Sequence, residues 1–142
     1  TDERRARFPD AHPLIRRGRA YAGRDLDRFL DAAAAGERVS VVTGVGPSGP
    51  MHLGHTVAFS LAKYLQDAFG AHVYVPLSDD EKYLTREQTL AETRAYTRQN
   101  LRDVLAFGFD PDRTRIVVDT ADAGVLYPLA TALARDVTPA TY

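Results

Sequence analysis

The sequence predicts an α/β protein with a Rossmann-like parallel sheet and flanking helices. Three short strand-like segments alternate with three segments of helical periodicity, an order typical of strand–helix–strand units with right-handed crossovers. The segment after the first strand is rich in glycine, and the segment after the second is rich in carboxylates. Because ligands bind beyond the C-terminal ends of strands in such sheets, we expect a binding site there.

The first elements follow from apolar periodicity and from glycine and proline. Residues 25–35 have one apolar face and stop at a glycine, which predicts a helix. Residues 39–43 are mostly β-branched and predict a strand, whereas residues 44–50 contain three glycines and two prolines and cannot be regular. Residues 53–69 repeat an apolar residue every four positions and predict a long helix. Residues 72–77 predict a second strand, with a proline near its end, where a missing donor is tolerable.

The second half of the chain contains two further helices and one strand. Thr85 and Gln88 have the spacing of a capping box, and they predict the start of a helix that ends near Phe107. After a turn, residues 114–118 predict the third strand, and residues 125–135 predict a final helix.

The composition is that of an ordinary globular domain without an integral membrane segment. The net charge is −1, so the chain does not carry the basic field of a nucleic-acid binder, and the absence of cysteine excludes disulfides and thiolate metal sites. No apolar run approaches the roughly 20 residues of a membrane span, and no signal peptide is visible, so we expect a cytoplasmic protein. The chain begins at Thr1 without methionine and is expected to be a processed or excised piece. We expect residues 1–142 to form a single Rossmann-like half-domain, in which residues 1–24 are an N-terminal extension.

Residues 46–55 carry the strongest chemical signal. Glycines allow a ligand to approach the backbone closely, and the helix that begins behind them attracts anions through its dipole and free N–H groups. His52 and His55 are three residues apart on one face of the first turn, and Gly54 between them leaves that face open. Imidazoles donate hydrogen bonds to phosphoryl oxygens, so the segment favours a nucleotide with its phosphates. A glycine-rich turn with solvated or helix-capping histidines is the alternative.

Two other interpretations of this segment are weaker. The two histidines also have the spacing of a metal pair, but no third ligand is obvious nearby, and we expect no metal site. A Walker-type phosphate loop is excluded because no Gly-Lys-Ser or Gly-Lys-Thr follows the glycines.

Residues 78–83 form the second unusual segment. Three adjacent carboxylates repel one another unless a cation offsets them, and that cation would be Lys82, a metal ion or the ammonium of a ligand. The alternative is a solvated acidic loop that caps a short helical turn. Because this segment follows the second strand, it is expected at the same rim of the sheet as residues 46–55.

At this point the sequence resembles a known family. Pro47-Ser48-Gly49 followed by His-Leu-Gly-His resembles the HIGH signature of class I aminoacyl-tRNA synthetases. The Asp-Asp-Glu-Lys-Tyr of residues 79–83 resembles the tryptophanyl-tRNA synthetases of archaeal and eukaryotic type, as do residues 63–67 and 108–114. The similarity is dense from about residue 39 to residue 118.

This resemblance implies ATP-dependent formation of an aminoacyl-adenylate and transfer of the aminoacyl group to tRNA. It implies that His52, His55 and Lys82 are catalytic and that Mg²⁺ accompanies ATP. It implies that ATP is bound by Thr43, Gly44, Gly46, Pro47, Ser48, Gly49, His52, Gly54 and His55. Glu81 would meet the ammonium of the amino acid, and Val42 and Pro76 would line the amino-acid pocket. The implied partners are ATP, tryptophan or another amino acid, tRNA through parts outside this chain, and a second copy in a possible homodimer, but no membrane.

Three positions differ from the tryptophanyl group. Val42 stands where the group usually has a Tyr over the indole, Pro76 where it has a Gln that binds the indole N–H, and Val45 where it has an Arg. A buried indole N–H without a partner costs about 1–3 kcal/mol. We therefore predict poor discrimination for tryptophan, or preference for another amino acid. Two alternatives to a synthetase are a nucleotidyltransferase with His-x-Gly-His, which usually carries Phe-Asp-Pro before the motif, and a synthetase-derived nucleotide-binding module without catalysis.

Overall fold

A parallel sheet of three strands organises the computed structural model, which describes residues 2–137. The strands are β1 (Ser40–Val42), β2 (His72–Leu77) and β3 (Thr114–Val118), in the spatial order β1-β2-β3. Val42 pairs with Tyr74, and Val118 pairs with Leu77, both in parallel ladders. The prediction of an α/β fold with a Rossmann-like parallel sheet is confirmed.

Seven α-helices are present among the described residues: α1 (Asp2–Ala6), α2 (Pro13–Arg16), α3 (Leu26–Ala34), α4 (Leu53–Phe69), α5 (Asp79–Thr85), α6 (Leu90–Leu105) and α7 (Asp119–Ala134). A short 3-10 turn, Pro111–Arg113, precedes β3. The predicted bounds of α4, β2 and β3 are confirmed, while β1 is shorter than residues 39–43 and α3 is slightly shorter than residues 25–35.

The main core lies between β2 and the helices α4 and α6. Alternate residues of β2 point to one face, and Val73, Val75 and Leu77 are fully buried there. They form one cluster with Phe59 of α4 and Val104 of α6. Both helices therefore lie against the same face of the sheet. α4 begins within the glycine-rich segment, and α5, which contains most of the acidic segment, precedes α6.

The start of α6 corrects one prediction. Thr89, not Thr85, is the N-cap: its hydroxyl accepts from the Glu92 N–H at 3.2 Å, and the Glu92 carboxylate accepts from the Thr89 N–H at 2.9 Å. The predicted box of Thr85 and Gln88 is wrong because Thr85 ends α5, where its hydroxyl donates to the carbonyl of Glu81 at 2.7 Å. A true capping box therefore exists, four residues further along the chain.

The last helix also begins earlier than predicted. α7 starts at Asp119 rather than at residue 125, since its first turn is fixed by tertiary contacts. Buried Asp79 accepts from the N–H of Thr120 at 3.0 Å and from its hydroxyl at 2.5 Å, and Asp122 accepts from the N–H of Val118 at 2.9 Å. These contacts dock α7 on the first turn of α5.

Residues near the N-terminus pack on the outer side of α4. Phe8 and Ile15 form a second buried cluster with Leu30 of α3. The rings of Phe8 and Phe69 form a T-shaped pair with centroids 5.8 Å apart, and the Tyr64 hydroxyl donates to the carbonyl of Pro9 at 2.6 Å. This segment therefore contributes to a hydrophobic core.

Candidate nucleotide-binding site

The glycine-rich loop is tied to the end of β2. The N–H of Thr43 donates to the carbonyl of Tyr74 at 3.0 Å, and the N–H of Val45 donates to the carbonyl of Pro76 at 3.1 Å. Beyond the end of β2, the Ser78 N–H donates back to Val45 at 3.3 Å. These bonds confirm the expectation that the glycine-rich and acidic segments lie at one rim of the sheet.

Gly44 makes room for the Pro76 ring within this connection. A Cβ at Gly44 would lie 2.3 Å from the Pro76 carbonyl oxygen and 2.9 Å from its Cγ. The regular β1–β2 ladder ends at Val42 and resumes only at the isolated pair of Val45 and Leu77. The interruption coincides with the residue that lacks an N–H, as expected for proline inside a sheet.

Lys82 crosses the loop at Gly46. A Cβ at Gly46 would lie 2.0 Å from Lys82 Cε and 3.0 Å from Lys82 Nζ, so the lysine stem occupies the space that glycine leaves free. The ammonium bonds the Glu81 carboxylate at 2.7 Å, and the Ser78 hydroxyl donates to the same carboxylate at 3.2 Å. The Lys82 hydrogen bond, then the Ser78 hydrogen bond and the Lys82 charge, lower the pKa of Glu81. Glu81 is thus an ionised carboxylate beside a cation.

The other carboxylates of the acidic segment have separate partners. Asp79 is used to hold α7, and Asp80 accepts from the Glu81 N–H at 2.6 Å. Burial, followed by the charges of Asp80 and Asp79, raises the pKa of Asp119 at the start of α7. Within residues 2–137 there is no cluster of three or more His, Cys, Asp or Glu side chains that could hold a metal ion.

The two histidines cap α4. His52 is the N-cap residue, and its Nδ1 accepts from the N–H of Gly54 at 3.1 Å, while His55 Nδ1 accepts from the N–H of His52 at 3.1 Å. The rings are close, with centroids 4.1 Å apart. In a neutral imidazole only one nitrogen carries hydrogen, so these bonds assign the hydrogen to Nε2 in both rings. The capping interpretation is confirmed, and it leaves two Nε2–H donors for another partner.

Gly54 leaves space for the His52 ring that caps α4. A Cβ at Gly54 would lie 2.9 Å from His52 Cε1 and 3.0 Å from His52 Nδ1. The space over Gly54, which the sequence suggested as open, therefore holds the His52 ring in this structure.

Two side-chain amides bind carbonyl groups of the loop, and the sequence analysis did not predict these contacts. The Gln88 amide donates to the carbonyl of Ser48 at 3.0 Å, and the Asn100 amide donates to the carbonyl of Gly49 at 2.9 Å. A signal did exist, because the buried face of α6 has Thr93, Thr97 and Asn100 in line, and polar residues on a core face require partners. Gln88 was instead assigned to a helix cap.

The proposed amino-acid contacts are dispersed along the rim. Val42 ends β1 and is 72% exposed, and Pro76 lies further along β2 against Gly44. Neither of them bonds Glu81 in the part of the chain that the structure describes. The loop, Lys82 and Glu81 do meet, as do the two histidines.

Comparison with known proteins decides the family. Residues 34–137 match the family model described as tRNA synthetases class I (W and Y). The chain belongs to this family. The Tryptophan--tRNA ligase 2 of Halobacterium salinarum is 69% identical over 99% of this chain, and the tryptophan--tRNA ligase of Pyrobaculum calidifontis is 45% identical over 91%. These matches favour a synthetase over a nucleotidyltransferase.

Solved synthetases have the same fold. The tryptophanyl-tRNA synthetase from Giardia lamblia superposes with a TM-score of 0.89 at 39% identity over 97% of this chain. The enzyme from Plasmodium falciparum gives a TM-score of 0.85 at 36% identity. The chain spans about a third of the length of these relatives, 36% of the Halobacterium protein and 36% of the Giardia chain.

Proposed function

We propose that this chain is the nucleotide-binding half of a class I synthetase catalytic domain and takes part in ATP-dependent activation of an amino acid, followed by its transfer to tRNA. The observation that carries the proposal is the pair of capping histidines. Their Nδ1 atoms fix the start of α4, and their Nε2–H groups remain as donors at the positive end of a 17-residue helix. This arrangement suits the phosphates of ATP.

Lys82 adds a full positive charge to the same rim. Its stem lies over Gly46, so the loop and the ammonium form neighbouring parts of one surface. We propose that the loop, the two histidines and Lys82 together bind ATP, and that Thr43 and Gly44 support the start of the loop. Since the described residues offer no metal cluster, Mg²⁺ would be held through the phosphates of ATP, where it neutralises charge.

The proposed reaction joins the amino-acid carboxylate to the α-phosphorus of ATP. An oxygen–phosphorus bond to the carboxylate forms, and the bond to pyrophosphate breaks with its electron pair. The carboxylate is ionised at neutral pH, so no general base is required. The donors of His52, His55 and Lys82 would stabilise charge that grows on phosphoryl oxygens, which is catalysis by positioning and electrostatics.

Glu81 is proposed to receive the ammonium of the amino acid. Its pKa is lowered by Lys82 and Ser78, so it is a carboxylate at neutral pH, and its side chain is about half exposed. An incoming ammonium would share Glu81 with Lys82 and would leave Lys82 freer to reach a phosphate. Val42 and Pro76 are proposed to line the side-chain pocket, with tryptophan or another amino acid as the substrate.

The wider assignments are proposals of the same kind. Residues 1–142 would act as one half-domain in which residues 1–24 form an extension, and tRNA would be bound by parts beyond the chain. A homodimer is also proposed, since α7 exposes Val125, Tyr127, Leu129 and Leu133 by more than half of their surface. No described helix is long and apolar enough to cross a membrane, and we propose a cytoplasmic location.

The roles of His52 can be separated by two substitutions. His52→Asn keeps a side-chain acceptor for the N-cap but lacks the Nε2 donor, whereas His52→Ala removes both. We expect both variants to lose ATP affinity in calorimetry, and only His52→Ala to lose about 1 kcal/mol of stability in urea unfolding. If His52→Asn binds ATP as well as the wild type does, the histidine is a cap alone and the proposal fails at this residue.

A further inference from the structure

Two side-chain amides, one of them fully buried, bind carbonyl groups of the glycine-rich loop. Gln88 donates to Ser48 at 3.0 Å from the segment before α6, and Asn100 donates to Gly49 at 2.9 Å from the middle of α6. Asn100 is 1% exposed, so its bond is shielded from water. The loop is therefore attached to α6 at two successive carbonyls.

Neither amide oxygen has a hydrogen-bond partner in the described part of the chain, so these side chains bind the loop through their N–H donors alone. Gln88 Oε1 and Asn100 Oδ1 are the buried side-chain atoms without a partner among residues 2–137. A buried acceptor without a donor costs about 1–3 kcal/mol, and each such exception requires a reason. An apolar residue would fill either position without that cost, but it would leave the loop carbonyl unbound.

The bound carbonyl of Ser48 determines the orientation of the next N–H in the loop, that of Gly49. No peptide bond in the described chain is cis, so the Gly49 N–H lies opposite to the Ser48 carbonyl across their shared peptide plane. Since that carbonyl faces Gln88, the Gly49 N–H points away from Gln88. A Cβ at Gly49 would meet no atom within 4 Å, so the Cα of Gly49 borders open space. Pro50 follows and offers no donor of its own.

We propose that Gln88 and Asn100 are positioning residues that hold the loop with the Gly49 N–H turned away from Gln88 as a phosphate donor. The inference rests on the proposed ATP-binding function and deepens it. The two amides act through the loop backbone and do not touch the nucleotide. A backbone donor fixed before binding does not have to be ordered when the anion arrives, which raises affinity.

The experiment uses the 142-residue chain with Gln88→Met and Asn100→Leu, which keep approximate size and remove the amide. The matched control is Gln66→Met. Gln66 is another buried amide, 2% exposed, which donates to Thr114 at 2.9 Å and accepts from the Asp110 N–H at 2.7 Å, away from the loop. ATP affinity is measured by calorimetry, and the Gly49 amide is followed by NMR without nucleotide.

We expect each loop variant to shift the Gly49 amide resonance and to weaken ATP binding about tenfold. Gln66→Met should lower the unfolding midpoint at least as much and leave the affinity and the Gly49 resonance unchanged. Unchanged affinity in both loop variants, or an equal loss in Gln66→Met, would overturn the inference while the wild type still binds ATP. If the wild type does not bind ATP, the proposed function itself fails, and the inference fails with it.

Discussion

Replacement of Gly46 by alanine should separate nucleotide binding from folding. The new Cβ would lie 2.0 Å from Lys82 Cε, whereas carbon atoms in contact are about 3.5–4.0 Å apart. Lys82 Cε must therefore retreat by about 1.5–2 Å. Such a displacement takes the ammonium out of its 2.7 Å bond with Glu81 and away from the loop.

The cost in stability is small because the flexible lysine yields rather than the backbone. The lost ion pair is partly exposed, and such pairs contribute little to stability. Gly46 does not have a positive φ, so alanine also restricts the unfolded chain and returns about 0.4–1 kcal/mol. We expect the free energy of unfolding to stay within about 0.5 kcal/mol of the wild type, while loss of a charged donor weakens ATP binding about 10–100-fold.

Gly44→Ala is the matched control. Its Cβ would lie 2.3 Å from the Pro76 carbonyl oxygen, which belongs to the backbone of the central strand and cannot move aside alone. We expect a loss of about 1–3 kcal/mol or more in urea unfolding. Equal destabilisation by the two alanines, or full ATP affinity in Gly46→Ala, would refute the placement of Lys82 over the loop.

Two other predictions concern charge and specificity. Asp119→Asn should stabilise the chain at pH 7, because the raised pKa of Asp119 means that its charge opposes folding. The gain, less than about 1 kcal/mol in urea unfolding, should shrink as pH falls through that pKa towards the ordinary value of 3.8, and a gain that is independent of pH would contradict this account. The double change Val42→Tyr with Pro76→Gln should raise tryptophan-dependent pyrophosphate exchange about tenfold, since the indole N–H regains a partner. The assay uses a chimera that joins this chain to the rest of the Halobacterium relative. If the unchanged chimera already uses tryptophan strongly and exclusively, and the double change adds little, other residues supply the contacts.

The periodic elements could be predicted from sequence because their signals are local. The four-residue repeat of α4 and the β-branched runs of β2 and β3 determine type and bounds. The buried face of α4 was harder to predict from the sequence. In α4 the buried residues are Phe59, Ala62 and Gln66, while Leu53 and Val57 of the repeat are at least half exposed.

The early start of α7, which the sequence did not predict, depends on a tertiary contact. α7 begins where Thr120 binds the buried Asp79, two residues that are 41 positions apart in the chain. No local pattern announces such a bond. The same holds for Gln88, whose position four residues before Glu92 gives no hint that its amide reaches the Ser48 carbonyl.

Only part of the candidate site could be predicted from the sequence, because its contacts are also tertiary. The residue types at the rim and their order are visible in sequence, and so is the family resemblance. That each imidazole uses Nδ1 in the cap and keeps Nε2–H for another partner is known only from the three-dimensional structure. The same is true of the Lys82 stem over Gly46.

An NMR titration of the ¹⁵N-labelled chain with ATP tests the central claim most directly. The proposal predicts weak binding, with shifts that saturate at millimolar ATP and are concentrated in residues 46–55 and at Lys82, because the phosphates are held there by the loop, the start of α4 and the lysine. Absence of shifts near residues 46–55 at millimolar ATP, or saturating shifts confined to another part of the chain, would contradict it.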